Sequence, residues 1–416
     1  MLNEDKDDSS AMRALLVAAH HEVLNAVGGR LAVARYLRDA SSKSSPTHAL
    51  AVGKAAADMM EGAFDVLGDA LEQTLVITKH GHAIAGSRAR VIESAHPLPD
   101  ESCLHAGAEL WDFITRAPHD ARVLLMISGG ASALAEHLAV GLDAKFMARV
   151  NAWLLGSGLA IGAMNRVRKR ISRIKGGRLA IALNGRQTLL LMISDVPLDD
   201  AKIIGSGPLT FHTEADIEVA DLALPSWLTQ ATTKVPPLAP LAAFECISAH
   251  IIAHPQMAKT AAANSLREHG VAVYLHHDLL EGDALERGAH IVEVSKQDPG
   301  VIHLWSSETT VILPPSPGRG GRCQSLALSA ALALAAGDAQ AVVLAAGTDG
   351  SDGPGFDAGA VVDAHSVARG RQKGRDPLAD LGAADAGSFL EASGDLLRTG
   401  PTGTNVMDLL MAWTAP

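Results

Sequence analysis

Short, nearly uninterrupted apolar runs alternate along this chain with longer stretches in which apolar residues recur every three or four positions. The first pattern suits strands buried on both faces, the second suits helices that bury one stripe. Residues 11–40 have helical spacing and predict one or two helices. A βα rhythm follows. THALAVG predicts a strand ending on glycine, and KAAADMMEGAFDVL predicts a helix. TLVITKHG and RVIESA read as strands, ESCLHAGAELWDFITRA as a helix, and ARVLLMISGG as a strand entering a glycine turn. QTLLLMISDVPLDD predicts a strand that ends on carboxylates. Apolar runs without alternation, separated by helices, imply a parallel sheet covered on both faces.

Residues 225–241, PSWLTQATTKVPPLAPL, are proline-rich and weakly periodic, which places a domain boundary near or just after them. The rhythm then resumes with a helix over 257–269, the strand VAVYL and a helix over 281–297. VIHLWSSETTVIL predicts a hairpin, SLALSAALALAA a helix and AVVLAAGTDG a strand. TGTNVMDLLMAW predicts a turn followed by a short apolar helix. The 416 residues exceed one ordinary core, and a composition with only 3% aromatics suits close helix–sheet packing. The expected fold is α/β with two domains. Residues 12–245 form a larger, Rossmann-like, doubly wound parallel sheet, and 246–416 a smaller α/β domain whose final segment packs back on the first.

Charge removes some classes of partner. The formal net charge of −11 argues against nucleic acid, whose phosphates require a basic footprint. No apolar run is long enough to span a bilayer. The opening MLNEDKDDSS lacks the basic-then-apolar pattern of a signal peptide. Cys103, Cys246 and Cys323 lie far apart and give neither a disulfide framework nor a C-x-x-C site. A cytoplasmic protein is expected.

In open α/β sheets ligands lie at the carboxyl ends of strands. Here those ends carry Gly53-Lys54, Thr78-Lys79-His80, Ser128-Gly129-Gly130, Ser194-Asp195 and Gly347-Thr348-Asp349-Gly350. The turn ISGGASAL, with Ser128, Gly129, Gly130 and Ser132, reads equally as an anion cradle or as a tight βα connection. MNRVRKRISRIKGGRLA gathers Arg166, Arg168, Lys169, Arg170, Arg173, Lys175 and Arg178; such a run suits carboxylate or phosphate, or is a solvated helix face. GRGGRCQS, with Gly320 and Gly321, puts Arg322 at a helix start, where an anion is favoured. Asp349 and Asp352 beside such turns suit a divalent cation, typically magnesium, whereas Asp357 and Asp363 read as turn and cap residues. His80, His82, His96 and His105 fit no zinc spacing, and GSGLAIG lacks the spacing of a dinucleotide fingerprint.

Taken together and in order, VGKAAADM, ITKHGH, ESAHPLPDE, ISGGASAL, RVRKRISRIKGGRLA, ISDVPLDD with IIGSGP, GRGGRCQSLAL, GTDGSDGP and TGTNVMDL resemble the glycerate 2-kinases of the two-domain type with a C-terminal MOFRL domain. The resemblance spans about residues 12–412. It implies ATP-dependent, magnesium-assisted phosphorylation of D-glycerate at the 2-hydroxyl, in an active site in the cleft between the two domains. It implies catalytic roles for Lys54 and Arg322, and leaves Asp195 as acceptor of the hydroxyl proton or as a further metal ligand. On this reading Ser128, Gly129, Gly130, Ser132, Gly320 and Gly321 hold phosphate or nucleotide, Arg168 and Lys175 the substrate carboxylate, and Asp349 and Asp352 magnesium. A homodimer is left open.

Three departures from the family bear on the substrate. A GGET-like turn is replaced by Ser306-Ser307-Glu308-Thr309, GGRNQE by Gly320-Gly321-Arg322-Cys323-Gln324-Ser325, and the third glycine of ISGGGS by Ala131. The alternatives are therefore a kinase of a related small hydroxy acid, such as tartronate or a four-carbon aldonate, a hydroxypyruvate reductase, and a non-enzymatic metabolite-binding relative.

Overall fold

Strand β1 (His48–Val52) is apolar but for its first residue and buried along its whole length, as is β4 (Val123–Ile127), so both need cover on two faces. With β2 (Gln73–Lys79), β3 (Arg90–Ser94), β5 (Thr188–Ile193) and β6 (Ile247–Ala253) they form a six-stranded sheet in the order β3-β2-β1-β4-β5-β6. Every neighbouring pair is parallel. This order reverses direction between β1 and β4, the place where doubly wound sheets open a crevice for ligands. The core combines Leu50, Leu75, Ile77, Leu125 and Ile127 from the sheet with Leu110, Ile114, Leu134 and Leu183 from the covering helices. The structure, a computed structural model, describes residues 4–39, 47–96, 98–337 and 340–416. Ala40, at the end of the predicted helical stretch, and Pro97, within ESAHPLPDE, lie outside the described residues.

A second sheet contains β7 (Ala272–Leu275), β8 (Leu280–Asp283), β9 (Val301–Thr310), β10 (Ala341–Gly347), β11 (Gly359–Asp363), β12 (Leu396–Leu397) and β13 (Asp408–Thr414). Its order is β12-β11-β10-β13-β9-β7, with β8 on β9. It is mixed: β13 runs antiparallel to both β10 and β9, while β7 and β8 run parallel to β9. The helix Arg322–Ala335 packs on it through Cys323, Leu326, Ala327, Ala330 and Leu334.

Chain division differs from the sequence expectation at both boundaries. Residues 29–253 form one unit, and the segments on either side, up to Gly28 and from His254, form the other. The helix Glu4–Val27 belongs to the second unit because Arg13 reaches Asp363 (2.7 Å) and Asp395 (2.8 Å), and Thr404 donates to the Val27 carbonyl. The expected boundary after residue 245 cuts just ahead of β6, which completes the first sheet. Two further expectations fail. DLLMAWT is a fully buried central strand, not a helix: it has sheet partners on both sides, and its apolar run is too short for periodicity to separate strand from helix. VIHLWSSETT is a single strand rather than a hairpin.

Candidate functional site

In the unit of residues 29–253, the turns after β1 and β4 are laced together. Lys54 N–H donates to the Gly129 carbonyl (2.9 Å), Ala55 N–H to Ser128 Oγ (3.0 Å), and Ser128 N–H to the Val52 carbonyl (3.0 Å). Gly53 has φ +134°, and a Cβ there would overlap the Ser128 hydroxyl. Ser128 is fully buried, so its hydroxyl builds the crossing of the two turns. Gly130 takes the left-handed conformation (φ +83°), and a Cβ on it would lie 3.1 Å from the His96 ring and 3.3 Å from Lys54 Cγ. Lys54, His96 and the Gly129-Gly130 backbone therefore meet at the switch point of the sheet. Ser132 adds a hydroxyl 2.7 Å from that of Ser206. Ser206 itself sits at φ +66°, between Gly205 and Gly207, both also left-handed. Asp195 follows β5 and is half-buried; beyond it Leu198 (φ 60°) and Asp199 (φ 54°) hold strained conformations, and Leu198 is 99% exposed.

The basic run is divided among separate partners. Arg166 pairs with Asp221, and Arg170 with Glu214. Lys169 donates to the Lys202 carbonyl and contacts His212, and burial lowers its pKa. Arg178 donates to the carbonyls of Lys169 and Pro236, and burial pulls its pKa down to about 10. Arg173 lies over the Trp111 ring (4.5 Å) and bonds His137 (2.8 Å). Lys175, expected to hold substrate, is buried in an ion pair with Glu136 at 2.5 Å. That environment makes it part of the core. Arg168 forms no ion pair among the described residues and donates to Asn165 Oδ1 (3.1 Å); burial lowers its pKa. Of the two expected substrate residues, Arg168 alone keeps a charge that a ligand anion could use.

The second unit builds a different cluster. Arg322 opens the helix Arg322–Ala335, with Gly321 as its N-cap. The anion at that helix start is the protein's own: Asp352 accepts from Cys323 N–H (3.1 Å) and Gln324 N–H (2.8 Å). A Cβ on Gly321 would collide with the Asp352 carboxylate, and Gly320 has φ +147°. The glycine pair expected to cradle phosphate thus admits Asp352, and Asp352, expected to bind metal, caps the helix. Burial, followed by the nearby charge of Asp408, pushes the Asp352 carboxyl up to about 7. Asp349 Oδ1 accepts from the N–H and hydroxyl of Ser351, in an Asx turn. Asp357 pairs with Arg319 and Arg398 instead of serving as the expected turn or cap residue, while Asp363 accepts from His365 N–H, as a turn residue does, and also pairs with Arg13 and Arg369.

The Arg322 guanidinium meets Asp408 at 2.6 Å and Glu308 at 3.5 Å. Burial opposes its charge, but Asp408 overrides burial and holds its pKa above the ordinary arginine value. Burial also raises the Glu308 carboxyl, partly offset by Arg322. Neither Asp408 nor Glu308 was singled out from sequence; the available signal was a charged residue opening the buried run DLLMAW. Ser306 and Ser307 are buried inside β9, not in a turn.

Comparison with known proteins supplies the family. A family described as a domain of unknown function (DUF4147) matches residues 15–230, and the MOFRL family matches residues 301–408. A D-glycerate 2-kinase of Thermotoga maritima is 32% identical, over 87% of this chain and 89% of its own. The chain belongs to the glycerate 2-kinase family. A crystal structure of a glycerate kinase from the same organism superposes with a TM-score of 0.84 at 30% identity, covering 97% of this chain and all of that one. Another family relative, from Agrobacterium vitis, is 34% identical over 86% of this chain and 97% of its own, and carries a provisional hydroxypyruvate reductase name. No described helix is long and apolar enough to cross a membrane.

Proposed function

We propose that the protein is an ATP-dependent D-glycerate 2-kinase. The 2-hydroxyl oxygen of D-glycerate attacks the γ-phosphorus of ATP, the bond from that phosphorus to the ADP oxygen breaks, and the hydroxyl proton passes to a base. The products are 2-phosphoglycerate and ADP. The observation that carries this reading is the near full-length similarity to the Thermotoga D-glycerate 2-kinase. The switch-point lysine supports it. In a dinucleotide-binding sheet the first βα turn carries G-x-G-x-x-G, whereas here it reads Gly53-Lys54-Ala55-Ala56-Ala57. A cation with one glycine suits phosphoryl oxygens better than a nicotinamide dinucleotide.

Phosphoryl transfer depends on positioning and charge neutralisation. In this proposal Lys54 and Arg322 neutralise the transferring group, and Gly129, Gly130 and Ser132 orient phosphate. Arg168 holds the glycerate carboxylate, and Asp195 accepts the proton. A cytoplasmic setting, with ATP at hand, belongs to the same reading.

Magnesium is part of the proposal. Among the described residues no three His, Cys, Asp or Glu groups form a ready metal cage. The carboxylate of Asp349 nevertheless fits a hard cation of this kind, which takes one or two carboxylates, keeps waters and binds substrate phosphates, whereas Asp408 and Glu308 face the Arg322 guanidinium. Asp349 would hold the ion, which supplies neutralisation of phosphate charge when bound. Asp349→Asn is expected to raise the magnesium concentration needed for half activity; an unchanged requirement removes Asp349 from that role. The kinase reading itself is tested by following ATP consumption across a panel of short hydroxy acids. D-glycerate is expected to be the preferred acceptor, and consumption of NADH with hydroxypyruvate instead would overturn the reading.

A further inference from the structure

We propose that Asp408 is the positioning residue for Arg322 in phosphoryl transfer, an inference that rests on the kinase reading above. Asp408 is the first residue of β13. The sheet places it between Ser307 of β9 and Gly347 of β10, so its Cα is fixed from both sides. A Cβ on Gly347 would clash with the Ser351 carbonyl oxygen at 2.8 Å and would touch Asp408 Oδ1 at 3.5 Å, so the turn after β10 packs directly beside the Asp408 carboxylate. The side chain of Asp408 is 7% exposed, while that of Arg322 is 35% exposed. A rigid, buried carboxylate therefore holds a cation that faces outward.

Contact geometry decides what the pair does. Arg322 Nε donates to Asp408 Oδ2 at 2.6 Å and Nη2 donates to Oδ1 at 3.2 Å, a side-on, two-point grip that fixes the plane of the guanidinium. Among the described residues Nη1 has only the long 3.5 Å contact to Glu308, whose side chain is 44% exposed. The grip thus uses one edge of the fork and presents the other, which can take an anion in a second two-point contact. The backbone of Arg322 is anchored separately, because Asp352 binds the two amides that follow it. One aspartate fixes where the helix begins, and the other fixes where the guanidinium points. Asp408 touches no reacting atom; it acts through Arg322.

A double-mutant cycle on the full-length protein tests this, with kcat and KM for D-glycerate and ATP measured for wild type, Asp408→Asn, Arg322→Ala and the double variant. Asp408→Asn should lower kcat on the order of a hundredfold, as misplacement of a positioned group does, with both KM values nearly unchanged. In the Arg322→Ala background the same change should have no further effect on kcat beyond about threefold, because the residue it positions is gone. Wild-type kcat in Asp408→Asn, or an equal loss in both backgrounds, overturns the proposal; the second result would mark a merely structural ion pair or a direct contact with substrate or metal. If Asp408→Asn does not give folded protein by thermal melting, Asp408→Glu, which keeps the charge and shifts it by one methylene, enters the same cycle with the same two outcomes. Absence of wild-type turnover counts against the kinase reading, whereas normal wild-type turnover with full activity in the Asp408 variant counts against the positioning role alone.

Discussion

The carboxylate of Asp352 lies 2.8 Å from the amide nitrogen of Gln324, inside the first turn of the helix that Arg322 opens. A helix N-terminus exposes unpaired N–H groups, so the loop of residues 350–353 folds back to supply an acceptor for two of them. The fold thereby meets internally a demand that the sequence pattern alone assigns to a ligand.

This cap carries a pH signature. Burial, and then Asp408, raise the folded-state pKa of Asp352 from 3.8 to about 7. The unfolded carboxyl releases its proton first, so this group's contribution to stability is complete below about 4 and declines as pH rises toward 7. Asparagine caps helices about as well as aspartate and has no charge to desolvate. Asp352→Asn should therefore gain stability relative to wild type as pH rises from 4 to 8, read as a growing difference in Tm. A difference that stays flat or shrinks over that range would contradict the burial argument.

Lys175 and Arg168 should separate cleanly. Removing one partner of a buried ion pair leaves the other charge stranded, so Lys175→Ala should destabilise the protein by about 3–5 kcal/mol. Chemical denaturation measures this, and full stability with a raised KM would return Lys175 to the substrate. Arg168→Ala should do the reverse, raising KM for D-glycerate with little change in denaturation midpoint. An unaltered KM would take Arg168 out of substrate binding.

Lys54→Ala and Arg322→Lys should each lower kcat by about a hundredfold, the usual loss when one preorganised charge is removed from a transition state. Lysine keeps the charge at position 322 but cannot reproduce the side-on grip on Asp408. Thermal melting should show both proteins folded, and near-normal turnover in either variant would exclude that residue from the mechanism.

Much of the first sheet was legible in the sequence because its strands are unbroken apolar runs punctuated by glycine, and the chemistry sits where those runs end. Gly53-Lys54 and Ser128-Gly129-Gly130 were located in this way. The second sheet was harder to read. Its central strand, DLLMAWT, lacks both alternation and a helical period, and its character is set by pairing with β9 and β10, which are distant in sequence. Asp408 was hidden by that misreading. The roles of Asp352 and Lys175 depend on partners 28 and 39 positions away, and a charge run does not reveal which of its members a distant carboxylate will neutralise. Ser306 and Ser307 read as an altered turn because they stand where the family carries a GGET-like turn; in the sheet they are buried strand positions.

The most direct test of the account is phosphorus NMR of the product formed from ATP and D-glycerate by the purified protein with magnesium. A D-glycerate 2-kinase should give ADP together with a single new phosphate monoester, identical to authentic 2-phosphoglycerate and distinct from the 3-phosphate. Formation of 3-phosphoglycerate, or release of inorganic phosphate alone, would contradict it.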